Sequence, residues 1–237
     1  WATDDILVKA LIEKNTESSN EAKQRLETIL KSYTVYADLV LLDIDGNAIA
    51  NGKSHQYDLT NRNYGGKLWF QSAMRSANGE DYGFQGVHRS ATSGMHTMTF
   101  SCKVHENGDT TKRTVGWKVD ENGETRKRTI GSLAAVVDGD GVAKRIMDDT
   151  PLNEDEKANT RVCIIDSEGI VIADSHNKVL SDKISFPKMN ELLQEKKSFR
   201  VIKQKGEWQL ICHGRSSGYE SYSSGWHSLI INTLNNE

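Results

Sequence analysis

Val40-Leu41-Leu42-Asp43-Ile44-Asp45-Gly46-Asn47-Ala48-Ile49-Ala50 returns 123 positions later as Cys163-Ile164-Ile165-Asp166-Ser167-Glu168-Gly169-Ile170-Val171-Ile172-Ala173. Each copy opens on an apolar run suited to a buried strand and passes through an acidic turn, with Gly where positive φ is needed. Each closes on a second apolar run ending in Ala. Both copies therefore read as β-hairpins. A single D-x-x-G turn between apolar runs is common in β-rich chains, but two copies in register, each followed by similar material, read as the opening of a module used twice.

The 237 residues leave room for one large domain or two of ordinary size. Thirty basic residues against 33 acidic give a net charge of −3, and no basic block is long enough for a nucleic-acid or anionic-membrane surface. Cys102, Cys163 and Cys212 are widely spaced, with no C-x-x-C pair, and each is flanked by apolar strand residues. They are expected to be buried, inert thiols rather than metal ligands or a disulfide framework. No window approaches 18 consecutive apolar residues, so no membrane span is expected here. A start at Trp1 without Met, and an end just after an apolar strand, read as cut ends, with anchoring segments expected outside them.

Residues 4–36 read as one long stalk helix opened by Asp4 and Asp5, with no Gly or Pro. Its two ends keep the 3.6 period, through Ile6, Leu7, Ala10 and Leu11 and then Ala22, Leu26, Ile29, Leu30 and Tyr33. The middle, from Glu13 to Glu21, is polar, which suits a helix running beside two modules.

After the first hairpin, about 37–51, residues 53–94 are dense in Gly, Asn and aromatics, with only Trp69–Ser76 looking helical. Tyr57, Tyr64, Trp69, Phe70, Tyr82 and Phe84 argue against disorder, and a loop this long is expected either to enclose a ligand or to be pinned to the sheet by those aromatics. A strand follows at 96–104. A second repeat, of period 15, then sets Val104–Gly116 against Val119–Gly131, each copy centred on Asn-Gly. That pattern predicts a hairpin arm reaching into solvent, or one copy bulged out as a loop. Its Lys and Arg residues read as a solvated face that discourages edge pairing, or as a contact for an anionic partner.

Strand 130–137, helix 141–149 and a linker from Pro151 through Asn159 complete the first module, 37–150. Residues 151–237 read as a compact second one: hairpin 161–174, a helix over 186–197 with Ser185 as cap and Pro187 in its first turn, then strands 198–204, 207–213 and 226–234.

This order resembles the double Cache (dCache) sensor domain of bacterial chemoreceptors and related membrane receptors, over nearly the whole chain. Gly218-Tyr219-Glu220-Ser221-Tyr222, with Gly225-Trp226, is similar to a Gly-Tyr-Glu-Thr-Tyr, Gly-Leu-Gly-Trp pattern in the membrane-proximal half of one dCache branch. Gly131–Asp138 is similar to that branch's strand ending in Phe-Asp-Trp, with Gly139 in place of Trp. The resemblance implies an α+β fold, a long N-terminal helix followed by two PAS-like modules with antiparallel sheets. It also implies a periplasmic or extracellular small-molecule sensor between two membrane helices, homodimeric in the full receptor, with ligand in the membrane-distal module.

In the amino-acid-sensing branch an Arg-x-Trp pair, a Tyr, an Asp and a strand-ending Asp hold the ligand. Those positions fall here on Lys67-Leu68-Trp69, His88, Ser90 and Val136, with Asp138 two residues further on. Too many differ for an amino-acid sensor to be expected. The residue types suggest instead that Arg62, Lys67 and Arg89 pair with an anionic group. Tyr64, Trp69 and Tyr82 would offer flat apolar faces. A planar or carboxylated metabolite is the expected ligand, with Arg62, Tyr64, Lys67, Trp69, Tyr82, His88, Ser90 and Asp138 as its contacts.

The seven histidines show no metal-ligand spacing and no G-x-S-x-G elbow is present, so neither metal, cofactor nor catalysis is expected of this chain. A methyl-accepting chemotaxis protein is the first expectation for the parent. A sensor histidine kinase or diguanylate cyclase is the alternative, as is a protein-interaction role for the duplicated arm.

Overall fold

The structure, a computed structural model, describes residues 1–76, 82–90, 93–106, 118–119, 125–126, 128–217 and 224–234. The chain divides into two compact units, Trp1–Asp138 and Gly139–Glu237, which counts the helix at 139–148 with the second.

The first unit is built on a five-stranded antiparallel sheet. Its strands are β1 (Tyr36–Asp43), β2 (Ala48–Asn51), β3 (Gly83–Arg89), β4 (His96–His105) and β7 (Thr129–Asp138), in the order β2-β1-β7-β4-β3. The second unit repeats this with β8 (Thr160–Ile165), β9 (Val171–Asp174), β10 (Lys197–Gln204), β11 (Glu207–Arg215) and β12 (His227–Leu234), in the order β10-β11-β12-β8-β9. Numbered within its own unit, each sheet runs 2-1-5-4-3. Two antiparallel sheets with helices beside them make the expected α+β fold.

The quoted hairpins sit at the start of both sheets and agree in detail. Register slips between Leu41 and Leu42 in one and between Ile164 and Ile165 in the other, the same place in the repeat. Asp43 Oδ1 accepts from the backbone N–H of Asp45 and Asn47, and Asp166 Oδ1 from those of Glu168 and Ile170. Gly46 and Gly169 take φ of +83° and +86°, and a Cβ on either would come within 2.5 Å of backbone, Gly65 N or Ile184 O. Both turns thus need Gly for conformation and for space. The likeness continues beyond the hairpins, since Tyr64 N donates to Gly46 O and Ile184 N to Gly169 O.

Residues 4–36 are not one helix. Helix α1 (Asp5–Glu13) ends at Lys14, in the left-handed region at φ 50°, and Asn15 starts α2 (Thr16–Ser32) by accepting from Ser18 N–H at 2.8 Å. The two fold back on each other, with Lys9 to Glu21 at 2.9 Å and Arg25 to Asp4 at 2.7 Å. A straight helix over 4–36 would span about 50 Å and hold its two apolar ends far apart. The hairpin brings Leu7, Val8, Ala10 and Leu11 together with Ala22, Leu26 and Ile29 over Leu39, Leu41 and Leu133 on one face of the sheet. Alternation then gives the opposite face Val40, Leu42 and Ala134, which pack with Leu59, Trp69 and Phe70.

Other expectations shift by smaller amounts. Residues 83–89, read as loop, form the edge strand β3, and helix α3 occupies Leu68–Arg75. The linker at 153–159 is helix α5 (Glu154–Asn159), because Asn153 and Glu156 form a reciprocal capping box; helix α4 (Gly139–Asp148) precedes it. The helix expected at 186–197 shortens to α6 (Met189–Gln194), whose cap position is Lys188 in the left-handed region rather than Ser185. Of the 15-residue duplication, β5 (Lys118–Val119) and β6 (Thr125–Arg126) pair antiparallel, while the rest of residues 107–127 lies outside the described residues. Residues 218–223, which carry most of the C-terminal motif, lie outside them too.

Cys163 is buried, with its thiol pushed up to about 12 by that burial, whereas Cys102 and Cys212 are half-buried; all three are free. No helix among the described residues is long and apolar enough to cross a membrane.

Candidate functional site

The face of the first sheet turned away from α1 and α2 carries a cavity of about 260 Å³. Its floor is β1, β4 and β7, through Asp38, Val40, Thr97, Thr99 and Val136, and its walls come from the segment 53–69 and from His88, Arg89, Ser90, Ser93 and Met95. That volume lies near the small end of ligand sites, about 300–1,000 Å³, so it suits a compact metabolite.

Asp38, 3% exposed, organises one wall. Its carboxylate accepts from the backbone N–H of Leu39 and Lys53 and from Asn51 Nδ2 at 2.9 Å. Three donors fill most of the four lone-pair positions of a carboxylate, so Asp38 anchors this wall. Burial pushes its carboxyl up, against the lowering effect of those donors. Asn51 extends the anchor by accepting from Leu59 N–H and donating to Tyr57 O. Lys23, on α2, reaches the same segment through Asp58 at 2.8 Å, and this bond, with those from Thr60, holds the Asp58 carboxyl down at about 2.

The opposite wall is the start of α3. Lys67 is its cap residue, whose ammonium cannot accept from the helix's first N–H groups, and it lines the cavity. Trp69 is nearly buried, and its ring lies 5.9 Å from that of Tyr64 in a tilted pair. Ser101, on β4, donates to Trp69 O at 2.7 Å and so ties α3 to the sheet. The unfilled first N–H groups of α3 place positive partial charge near Lys67 and Trp69. Burial raises the phenols of Tyr57 and Tyr64, so both remain protonated hydrogen-bonding groups at neutral pH.

Lys53, Lys67 and Arg89 line this cavity, and among the described residues none is within ion-pair distance of a carboxylate. Arg89 Nε donates to Gly94 O at 3.0 Å. The Thr97 hydroxyl is 1% exposed, lines the cavity and has no hydrogen-bond partner. Buried hydroxyls are nearly always satisfied, which marks Thr97 as a place where a bound polar atom would be held.

Of the residues singled out from sequence, Tyr64, Lys67, Trp69, His88 and Ser90 line the cavity, as does Arg89. Arg62, Tyr82 and Asp138 do not. Arg62 is exposed, with its carbonyl taken by Ala48 N–H; Tyr82 is exposed ahead of β3; Asp138 ends β7, where its N–H bonds Val35 O. Val136, at the position of the family's strand-ending Asp, does face the cavity and offers no charge. Sequence reasoning missed Lys53, Gln56, Thr97 and Thr99. The signal for the last two was present: Thr97, Thr99 and Ser101 recur at every second position of β4, all at most 2% exposed, which marks one face of a buried strand as polar.

A sequence model of the Cache domain family (dCache_1) matches residues 3–230, and the chain belongs to that family. No curated protein sequence matches it. Among solved structures, it is similar to the ligand-binding domain of the Campylobacter jejuni chemoreceptor Tlp3 in complex with 4-methylisoleucine. The two are 14% identical, with 96% of this chain and 79% of that one covered and a TM-score of 0.61. The Vibrio cholerae histidine kinase DctB sensor domain is 14% identical, with 99% and 86% covered and a TM-score of 0.59. A domain assigned to the sensory box/GGDEF family from Vibrio parahaemolyticus is 12% identical, with 98% and 84% covered and a TM-score of 0.62. At these identities the likeness is one of fold. The chain is a dCache sensor domain, a class of extracytoplasmic ligand-binding modules found on chemoreceptors, histidine kinases and GGDEF proteins alike.

Proposed function

We propose that the cavity of the first unit binds a small planar or carboxylated metabolite, and that the chain reports its occupancy across a membrane. The observation that carries this is the set of three cations, Lys53, Lys67 and Arg89, lining one cavity without a carboxylate partner among the described residues. Beside them lie the aromatic face of Trp69 and the unsatisfied Thr97 hydroxyl. An anionic group on the ligand neutralises the cations, a flat apolar body fits Trp69 and Tyr64, and a polar atom satisfies Thr97. Tyr64, Lys67, Trp69, His88 and Ser90 are the contacts of this reading. Arg62, Tyr82 and Asp138 lie outside the cavity and are not contacts in it. Ligand then works by favouring one of two conformations of the unit, in proportion to its differential affinity for them.

The parent receptor is a methyl-accepting chemotaxis protein in this reading, membrane-anchored and dimeric. The Tlp3 likeness supports it, and the DctB likeness supports a sensor kinase as firmly. Sequencing the parent gene beyond Glu237 separates them. A thermal-shift screen of carboxylates, purines and amines tests the binding itself. A ligand at 100 times its Kd raises stability by about 2.7 kcal/mol, and Lys67→Gln is expected to remove at least about half of that gain. A screen in which no compound stabilises the chain overturns the reading.

A further inference from the structure

The internal repeat places a second cavity, of about 450 Å³, at the corresponding position of the second unit. Strand pairing fixes the correspondence. Asp38 faces Val136 across β1 and β7, and Arg161 faces Ile231 across β8 and β12; Thr97 and Thr99 on β4 match Gln209 and Ile211 on β11. Arg161, His176, Gln209, Ile211 and Ile231 line the second cavity where Asp38, Lys53, Thr97, Thr99 and Val136 line the first.

The floor residue has changed sign. Arg161 holds two carboxylates: Nε and Nη2 bond both oxygens of Asp174 at 2.9 Å, and Nη2 also bonds Asp182 Oδ2 at 2.9 Å. The two partners differ. The Asp174 side chain is wholly buried and fixed by a bidentate bond, whereas that of Asp182 is 39% exposed and makes a single contact with Arg161. Asp182 lies on the segment after β9, at the place that Arg62 holds in the first unit, since Val171 N–H bonds Asp182 O as Ala48 N–H bonds Arg62 O. It reaches the floor cation from the cavity side, as a tethered carboxylate. Lys183 and Lys205 also line the cavity and have no carboxylate partner among the described residues; Glu207 is the other acid there.

We propose that the second unit carries its own carboxylate site, in which a free carboxylate replaces Asp182 on Arg161, with Lys183 and Lys205 neutralising the displaced and incoming charge. Asp182 is thus a built-in competitor that keeps affinity low. This site is independent of the ligand reading of the first unit.

The test measures binding of acetate and of succinate by calorimetry to the whole chain, in a Lys67→Gln background so that the first cavity contributes little. Asp182→Asn removes the competitor's charge and keeps its shape, and it is expected to raise the association constant at least about fivefold, as release of a tethered competitor does. Adding Arg161→Lys, which keeps the charge but loses the fork, is expected to cancel that gain. Binding to Asp182→Asn no tighter than to its parent overturns the proposal, as does a gain that survives Arg161→Lys. Should Arg161→Lys fail to fold, the Asp182→Asn comparison decides alone.

Discussion

Thr97 carries the sharpest residue-level consequence of the first cavity. A buried hydroxyl without a partner costs about 1–3 kcal/mol, so Thr97→Val, which keeps the shape and removes the hydroxyl, is expected to raise the melting temperature of the free chain. The same change is expected to shrink the stabilisation that a ligand brings. A purely structural Thr97 would lose stability on substitution and leave the ligand shift alone. Lys67, Trp69 and Tyr64 line the cavity because the aromatics of this long Gly-rich segment pack back onto the sheet beside it. Asp38 was not legible in the sequence, since nothing in Tyr36-Ala37-Asp38-Leu39 marks its side chain as the anchor of a wall closed by residues 51, 53 and 57. The corresponding pair Arg161 and Asp174 was equally silent, because the exchange of Asp–Asn for Arg–Asp hides the repeat at the level of residue identity.

At the scale of elements, the N-terminal helical hairpin is the clearest departure from the sequence reading. Residues 4–36 contain no Gly or Pro, and the break falls on Lys14, a residue that seldom adopts left-handed backbone. The polar waist from Glu13 to Glu21 is visible in the sequence, but it suits a helix running beside two modules as well as it suits a reversal. Substitution at the break distinguishes the two by sign. Lys14→Gly relieves the left-handed strain and is expected to stabilise by about 0.5–1 kcal/mol in urea unfolding, whereas within one continuous helix it would cost about 1 kcal/mol. Asn15→Ala removes the cap of α2 and is expected to cost about 1 kcal/mol. The repeated hairpins behaved oppositely. Their acidic turn, Gly and apolar runs recur so fully that even the register slip falls at the same place in both.

The whole molecule is a module used twice, with two sheets of one strand order and two cavities on the corresponding face. The duplication of fold was written in 40–50 and 163–173; the divergence of the two cavities lies in side chains that only pairing across strands brings together. The units also differ in their response to acid. His213 Nε2 and His227 Nδ1 lie 2.8 Å apart in the second unit, both residues 5% exposed. Burial holds both below the ordinary 6.5, reinforced for His213 by His227. A depressed histidine stabilises the fold above the unfolded value and loses that contribution as pH falls through the folded one. Urea midpoints are therefore expected to drop between pH 7.5 and pH 5.5, and to drop less in His227→Gln.

The central claim is that the first unit's cavity receives a small anionic metabolite, and calorimetric titration of the best thermal-shift hit into the native chain and into Lys67→Gln tests it most directly. One-to-one binding that weakens at least about tenfold in Lys67→Gln, as loss of a charge-assisted contact worth about 1.5–3 kcal/mol requires, is the predicted result. Equal affinity for the two chains would contradict it.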